Sequence, residues 1–192
     1  MSNIAIKGAD TGTGVFTLES PATNTNRTLV LPDEAGTVLT TAGVPASALP
    51  AGSVIQTVFA SYTTQTLITS TTKGSGTSTG LSATITPTST NNKLLLLGSI
   101  SFANVGYVSD PGIFLEVFNG SSVVWTDEFV SLYANGDGSE NISSRQPLMV
   151  QVTPTTTAST TYTIRAWRTA SGNWNAHPSG NPGTLVIMEI AG

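Results

Sequence analysis

His177 is the one histidine of the chain, in Asn175-Ala176-His177-Pro178. A Ser-His-Asp relay would have to use it, because the imidazole takes the serine proton. No Gly-x-Ser-x-Gly elbow precedes it, and no further ligands stand around it at metal spacing. The sequence therefore reads it as a loop histidine in water. Carboxylates come in two adjacent pairs, Asp33-Glu34 and Asp127-Glu128. Neighbours on a strand point to opposite faces, so Asp127 and Glu128 cannot flank one glycosidic bond together. Asp33-Glu34 lies in a turn with no third group beside it. Asp137 and Glu140, in Asn135-Gly136-Asp137-Gly138-Ser139-Glu140-Asn141, make an oxygen-rich loop without the alternating acidic spacing of an EF-hand. Gly74-Ser75-Gly76 lacks the Lys-Ser/Thr and the helix that complete a phosphate loop, and reads as a flexible loop. With no cysteine, disulfides, thiolate catalysis and thiolate metal sites are excluded. No catalytic residue, metal ligand or cofactor is assigned, and the chain reads as non-enzymatic.

One binding constellation stands out. Trp174 lies in a polar loop with Asn173, Asn175 and His177. A flat indole flanked by amides could stack on a sugar ring and hydrogen-bond its hydroxyls. The competing reading is that Trp174 anchors its own loop. Trp125 and Trp167 sit within strand patterns and read as packing residues.

Composition sets the frame that must hold these residues. Of 192 residues, 32 are Thr, 22 Ser and 12 Asn, and only 9% are charged, where about 25% is usual. Branched Thr disfavours helix and fits a pleated strand. A helical bundle would need Ala, Glu, Lys and Leu in quantity. A net charge of −4, with seven scattered Lys and Arg, argues against a nucleic-acid partner, which needs clustered cations. The densest apolar runs, residues 94–97 and 185–188, are far shorter than the roughly 20 residues of a membrane helix. Residues 1–7 have neither the basic start nor the apolar run of a signal peptide. No membrane insertion is expected.

The chain divides near Pro50-Ala51-Gly52. Before it lie three short apolar runs bounded by breakers: Val15-Phe16-Thr17-Leu18, Thr28-Leu29-Val30-Leu31 and Thr37-Val38-Leu39-Thr40. Strands that short cannot bury a core alone. Residues 42–52 read as an uncharged linker. From residue 53 the strands lengthen: 53–60, 81–86, 93–102, 113–118, 123–130, 148–153, 162–167 and 184–190. The four leucines 94–97 suit a strand buried on both faces. Asn119-Gly120 marks a hairpin. Residues 134–144 and 172–183 read as loops. Eight strands without a helical period predict an all-β fold, a jelly-roll-like antiparallel β-sandwich over 53–192, preceded by an attachment segment over 1–41.

That segment carries a resemblance. Gly14-Val15-Phe16-Thr17-Leu18-Glu19-Ser20-Pro21-Ala22, then Arg27-Thr28-Leu29-Val30-Leu31-Pro32-Asp33-Glu34-Ala35-Gly36-Thr37-Val38-Leu39-Thr40, resembles a motif of bacteriophage fibre and appendage proteins. There it is an apolar run closed by Pro, an acidic turn and Gly-Thr-Val-Leu. Ala51-Gly52-Ser53-Val54-Ile55-Gln56 and the closing Leu185-Val186-Ile187-Met188-Glu189-Ile190-Ala191-Gly192 are similar to the ends of the C-terminal β domains of such proteins. The resemblance implies a homotrimer in a virion, assembled in the host cytoplasm. The N-terminal segments would join through Val15, Leu18, Leu29, Leu31, Val38 and Leu39 and attach to capsid or tail proteins, with the sandwiches as a knob. Long fibres carry a shaft between anchor and tip. Its lack here points to a short tail fibre, a head fibre or a capsid decoration protein. The alternative is a receptor-binding knob that recognises a host surface glycan.

Overall fold

The computed structural model describes residues 48–105, 112–126, 142–169 and 173–192, with isolated positions before residue 27. The chain divides into two units, Met1–Val38 and Leu39–Gly192, and the second is described below. The expected attachment residues Val15, Leu18, Leu29, Leu31, Val38 and Leu39 lie outside the described residues, as do both adjacent carboxylate pairs and residues 134–141.

Ten strands follow: β1 (Val54–Tyr62), β2 (Thr66–Ile68), β3 (Thr77–Ile85), β4 (Lys93–Val105), β5 (Ile113–Asn119), β6 (Ser122–Thr126), β7 (Ile142–Val152), β8 (Thr160–Arg168), β9 (Asn173–Ala176) and β10 (Gly183–Ile190). All their pairings are antiparallel. They form two sheets. In the first, β10 and then β9 run along one edge of β4, and β7 runs along its other edge. The pair β1 and β2 continues the sheet outside β10 and β9. The second sheet has the order β3-β8-β5-β6.

Counting β1 with β2, and β9 with β10, as interrupted single rails leaves eight. The first pairs with the eighth, the second with the seventh, the third with the sixth and the fourth with the fifth. This is the pairing of one long hairpin doubled over on itself. The two sheets face each other as a β-sandwich, as the alternation of apolar and polar residues predicts. Leu81, Ile85, Leu115, Val117 and Ile164 from one sheet join Leu94, Leu96, Val150 and Ile187 from the other in a single core.

Four expectations need correction. The leucine run is buried on one face only: Leu94 and Leu96 point into the core, and Leu95 and Leu97 lie half-buried on the outer face. The strand buried on both faces is β5. The hairpin turn falls one residue later than Asn119-Gly120. Asn119 pairs with Ser122, and Gly120 has φ of +59°, the Gly-first arrangement that suits a two-residue turn. Finally, both expected loops yield strand. Residues 142–144 open β7, and Asn173–Ala176 is β9. Pro147 fits within β7 because β7 is an edge strand among the described residues, where a missing N–H can face outward.

Candidate functional site

The glycan constellation does not survive folding as a surface. Trp174 pairs with Ile68 and Asn104 in the sheet, and its side chain is fully buried. No indole face is open to a sugar ring. Asn175 is 9% exposed, and of these residues only Asn173 lies at the surface. Trp174 thus fixes its own segment to the sandwich.

His177 is not a histidine in water. It sits where the β9–β10 rail breaks, with φ of +53° and no exposed surface. Its backbone N–H donates to the Ser101 carbonyl at 2.9 Å. Its Nε2 lies 3.1 Å from the Thr79 carbonyl. A carbonyl can only accept, so the ring is the tautomer protonated on Nε2. Tyr62 meets it edge to face at 5.4 Å between ring centroids. The ring lies directly over Gly183, where any Cβ would collide with it. Burial holds its pKa below the ordinary histidine value, against the opposing effect of the backbone at Thr79 and Asn181. This is a structural histidine that bridges the two sheets.

Two buried carboxylates escaped the sequence reading, because the groups that hold them lie far away along the chain. Glu116, fully buried, accepts from the amides of Gly74 at 2.5 Å and Gly76 at 3.0 Å. The glycine loop that lacks the signature of a phosphate loop therefore cradles an anion after all, supplied by the chain itself. Glu189, also fully buried, takes hydrogen bonds from Gln56 Nε2 (2.5 Å), Asn92 Nδ2 (2.6 Å), Thr88 N (2.7 Å) and Thr88 Oγ1 (2.9 Å). Burial pushes its pKa up, but the bonds from Gln56, Asn92 and Thr88 outweigh it and hold the carboxyl below its ordinary value. The two carboxylates lie on different sheets, each occupied by its own donors. Neither is placed as one of a catalytic pair. Beside the Glu189 network, a cleft of about 230 Å³ opens between Leu49, the 88–92 turn and Ala191-Gly192. Ligand pockets commonly measure about 300–1,000 Å³. Among the described residues no three His, Asp or Glu come together as metal ligands, and no helix is long and apolar enough to cross a membrane.

The surface feature that remains is the outer face of the β1-β10-β4-β7 sheet. The register places Phe59, Val186, Leu97 and Met149 in one row across all four strands. Thr57, Met188, Leu95 and Gln151 form the next row. Phe59 is 65% exposed and Met149 77%. Neither row contains a charge. The outer face of the other sheet is dressed differently. Phe114 stacks on Trp167 at 4.1 Å, the Arg165 guanidinium lies 4.0 Å over the Phe118 ring, and the Gly74–Gly76 amides cover Glu116.

No family model and no curated protein matches the chain. Among solved structures, it is similar to that of infectious bursal disease virus Gt strain, with a TM-score of 0.40, 16% identity, and cover of 73% of this chain and 39% of that one. The VP2 subviral particle of infectious bursal disease virus gives a TM-score of 0.35 at 16% identity, covering 81% and 42%. Dimeric latent PorU from Porphyromonas gingivalis gives 0.33 at 10%, covering 73% and 11%. The chain thus spans about two fifths of the viral chains it matches. Likenesses at these TM-scores carry no argument about function.

Proposed function

We propose that this chain is a non-enzymatic structural subunit of a bacteriophage virion: a short trimeric fibre or decoration protein, with its N-terminal segment attached to capsid or tail and its C-terminal sandwich as a jelly-roll knob. The observation that carries this reading is a combination within one chain. The fibre-like motif at residues 14–40 stands ahead of a sandwich whose rails pair first with eighth through fourth with fifth. That pairing supports a jelly roll of two Greek keys, an architecture that recurs in capsid and lectin domains. Architecture alone does not assign a function, so the motif decides between them. Low charge agrees with a chain that spends its working life against other subunits. The burial of Trp174 and His177 removes the specific support for a glycan-binding knob.

The test is the protein content of purified particles. Mass spectrometry should find the chain in virions at a fixed ratio to the capsid protein. A variant lacking residues 1–41 should be made in the cell and missing from the particles. Absence of the full chain from virions, or incorporation of the truncated one, would overturn the reading.

A further inference from the structure

The rail of β9 and β10 is interrupted between Ala176 and Gly183, and the interruption shapes the outer face of the sheet. β10 pairs with β4 as far as Ser99, and β9 takes up the pairing at Phe102. Across Ile100 and Ser101, β4 keeps its partner strand β7 on the other side. The chain in the gap turns out of the sheet with φ of +53° at His177 and +54° at Ser179. Non-glycine residues hold that conformation only where their surroundings impose it, and such residues cluster at ligand sites. The gap leaves a hollow of about 210 Å³ beside Ser101, with Ser143 and Arg145 of β7 on one side and Pro178 and Asn181 on the other.

Arg145 is directly opposite Ser101 in the ladder. Its Nε donates to Ser99 Oγ at 2.6 Å and its Nη2 to the Pro182 carbonyl at 3.2 Å. Both acceptors are uncharged. The two bonds hold the guanidinium by one side and leave three of its five N–H groups. One on Nη1 and one on Nη2 form the end-on fork that a carboxylate meets with two parallel bonds. The two carboxylate side chains among the described residues, Glu116 and Glu189, are buried and held by other donors, so neither neutralises Arg145.

The lining selects the ligand. A single cation with a two-pronged edge matches a singly charged carboxylate. A phosphate would bring more charge and a third oxygen, and Arg145 is the one charged residue of the lining. Ser101, Ser143 and Asn181 supply hydroxyls and an amide, groups that both donate and accept, as the hydroxyls of a sugar do. The one aromatic residue beside the hollow, Phe102, is fully buried and offers no face to an aromatic acid. Sites that enclose a whole ligand commonly measure about 300–1,000 Å³. A hollow of about 210 Å³ suits one ring of a longer chain that continues into solvent.

We infer that the hollow at the β9–β10 break binds an acidic sugar unit of a carboxylated saccharide, Arg145 taking the carboxylate and Ser101, Ser143 and Asn181 the hydroxyls beside it. This goes beyond the virion reading and does not depend on it. It also places saccharide binding away from Trp174, which is buried.

The test is an NMR titration of the full chain, read at the amides of Ser101, Ser143 and Asn181, with glucuronate, glucose, acetate and inorganic phosphate as probes. An ion pair open to water is weak, so glucuronate should bind saturably with a Kd on the order of 1 mM. Glucose lacks the charge and acetate the hydroxyls, and each should bind at least about tenfold more weakly. Phosphate should also bind more weakly than glucuronate. Arg145→Gln should abolish glucuronate binding. Arg145→Lys should weaken it at least about tenfold, because an ammonium has no fork. Asn181→Ala should weaken it about threefold. Arg165→Gln, on the other sheet, should match the wild type. Circular dichroism checks that each variant folds. Absence of saturable glucuronate binding, or its survival in folded Arg145→Gln, overturns the site. Acetate or phosphate bound as tightly as glucuronate overturns the sugar-acid assignment. None of these outcomes bears on the virion reading, which the particle-content experiment decides separately.

Discussion

Gly76 donates its amide to the carboxylate of Glu116 at 3.0 Å, forty residues away along the chain. The bond ties the Gly74–Gly76 loop to the middle of β5 and gives a buried charge its donors. Glu116→Gln keeps the shape but loses the charge that strengthens both bonds. It should cost about 1.5–3 kcal/mol, a fall in melting temperature of roughly 3–12 °C for a chain of this size. Thermal unfolding followed by circular dichroism measures it, and an unchanged melting temperature would show that the carboxylate contributes nothing.

Two glycines are fixed by rings rather than by turns alone. Gly183 lies under His177, and a Cβ on Gly80, at a φ of +84°, would run into the Tyr62 ring. Gly80→Ala combines overpacking with backbone strain and should destabilise by about 3 kcal/mol. Gly52 has a similar φ of +88° but nothing within reach of a Cβ. Gly52→Ala should therefore cost only the strain, about 1 kcal/mol. Urea midpoints of the Gly80 and Gly52 variants would separate the contributions, and equal losses would contradict the packing account.

His177 predicts an acid-sensitive step. Its pKa is lowered in the folded chain. The unfolded chain therefore binds a proton that the folded chain refuses once the pH drops below about 6.5. Stability should decline as pH falls through that region and level off below the folded pKa. Unfolding free energies measured by urea between pH 7.5 and 5 should show this decline in the wild type. They should lose it in His177→Gln, whatever the variant's overall stability.

Glu189 predicts a second step at lower pH. Its folded pKa is also lowered, so the stability it contributes is complete above the unfolded carboxylate value of about 4.3 and is lost as pH falls through the folded value. The 86–92 turn should loosen first, because Thr88 and Asn92 are held by this carboxylate. Hydrogen exchange at the Thr88 amide between pH 5 and 3, corrected for intrinsic rates, reads it directly. Unchanged protection at Thr88 would contradict the role given to Glu189.

Much of the sandwich was legible because its strands alternate. Leu81, Ala83 and Ile85, or Tyr162, Ile164 and Ala166, could face only one way. The elements that were missed are short or polar and owe their form to pairing. β9 is four residues with two Asn, and nothing local marks it as the continuation of β10 beyond a break at His177. The same pairing buries Trp174 and His177, so a constellation that reads as a sugar-binding loop becomes part of the core. Nothing local marks Glu116 or Glu189, because their donors come from 40 to 133 residues away. The row from Phe59 to Met149 joins four strands distant in sequence, and no single strand reveals it.

The proposed trimer is tested most directly by the solution mass of the purified chain. Light scattering behind a sizing column should give three times 19.7 kDa over a wide range of concentration. A stable mass of 19.7 kDa at the highest attainable concentration would contradict the account.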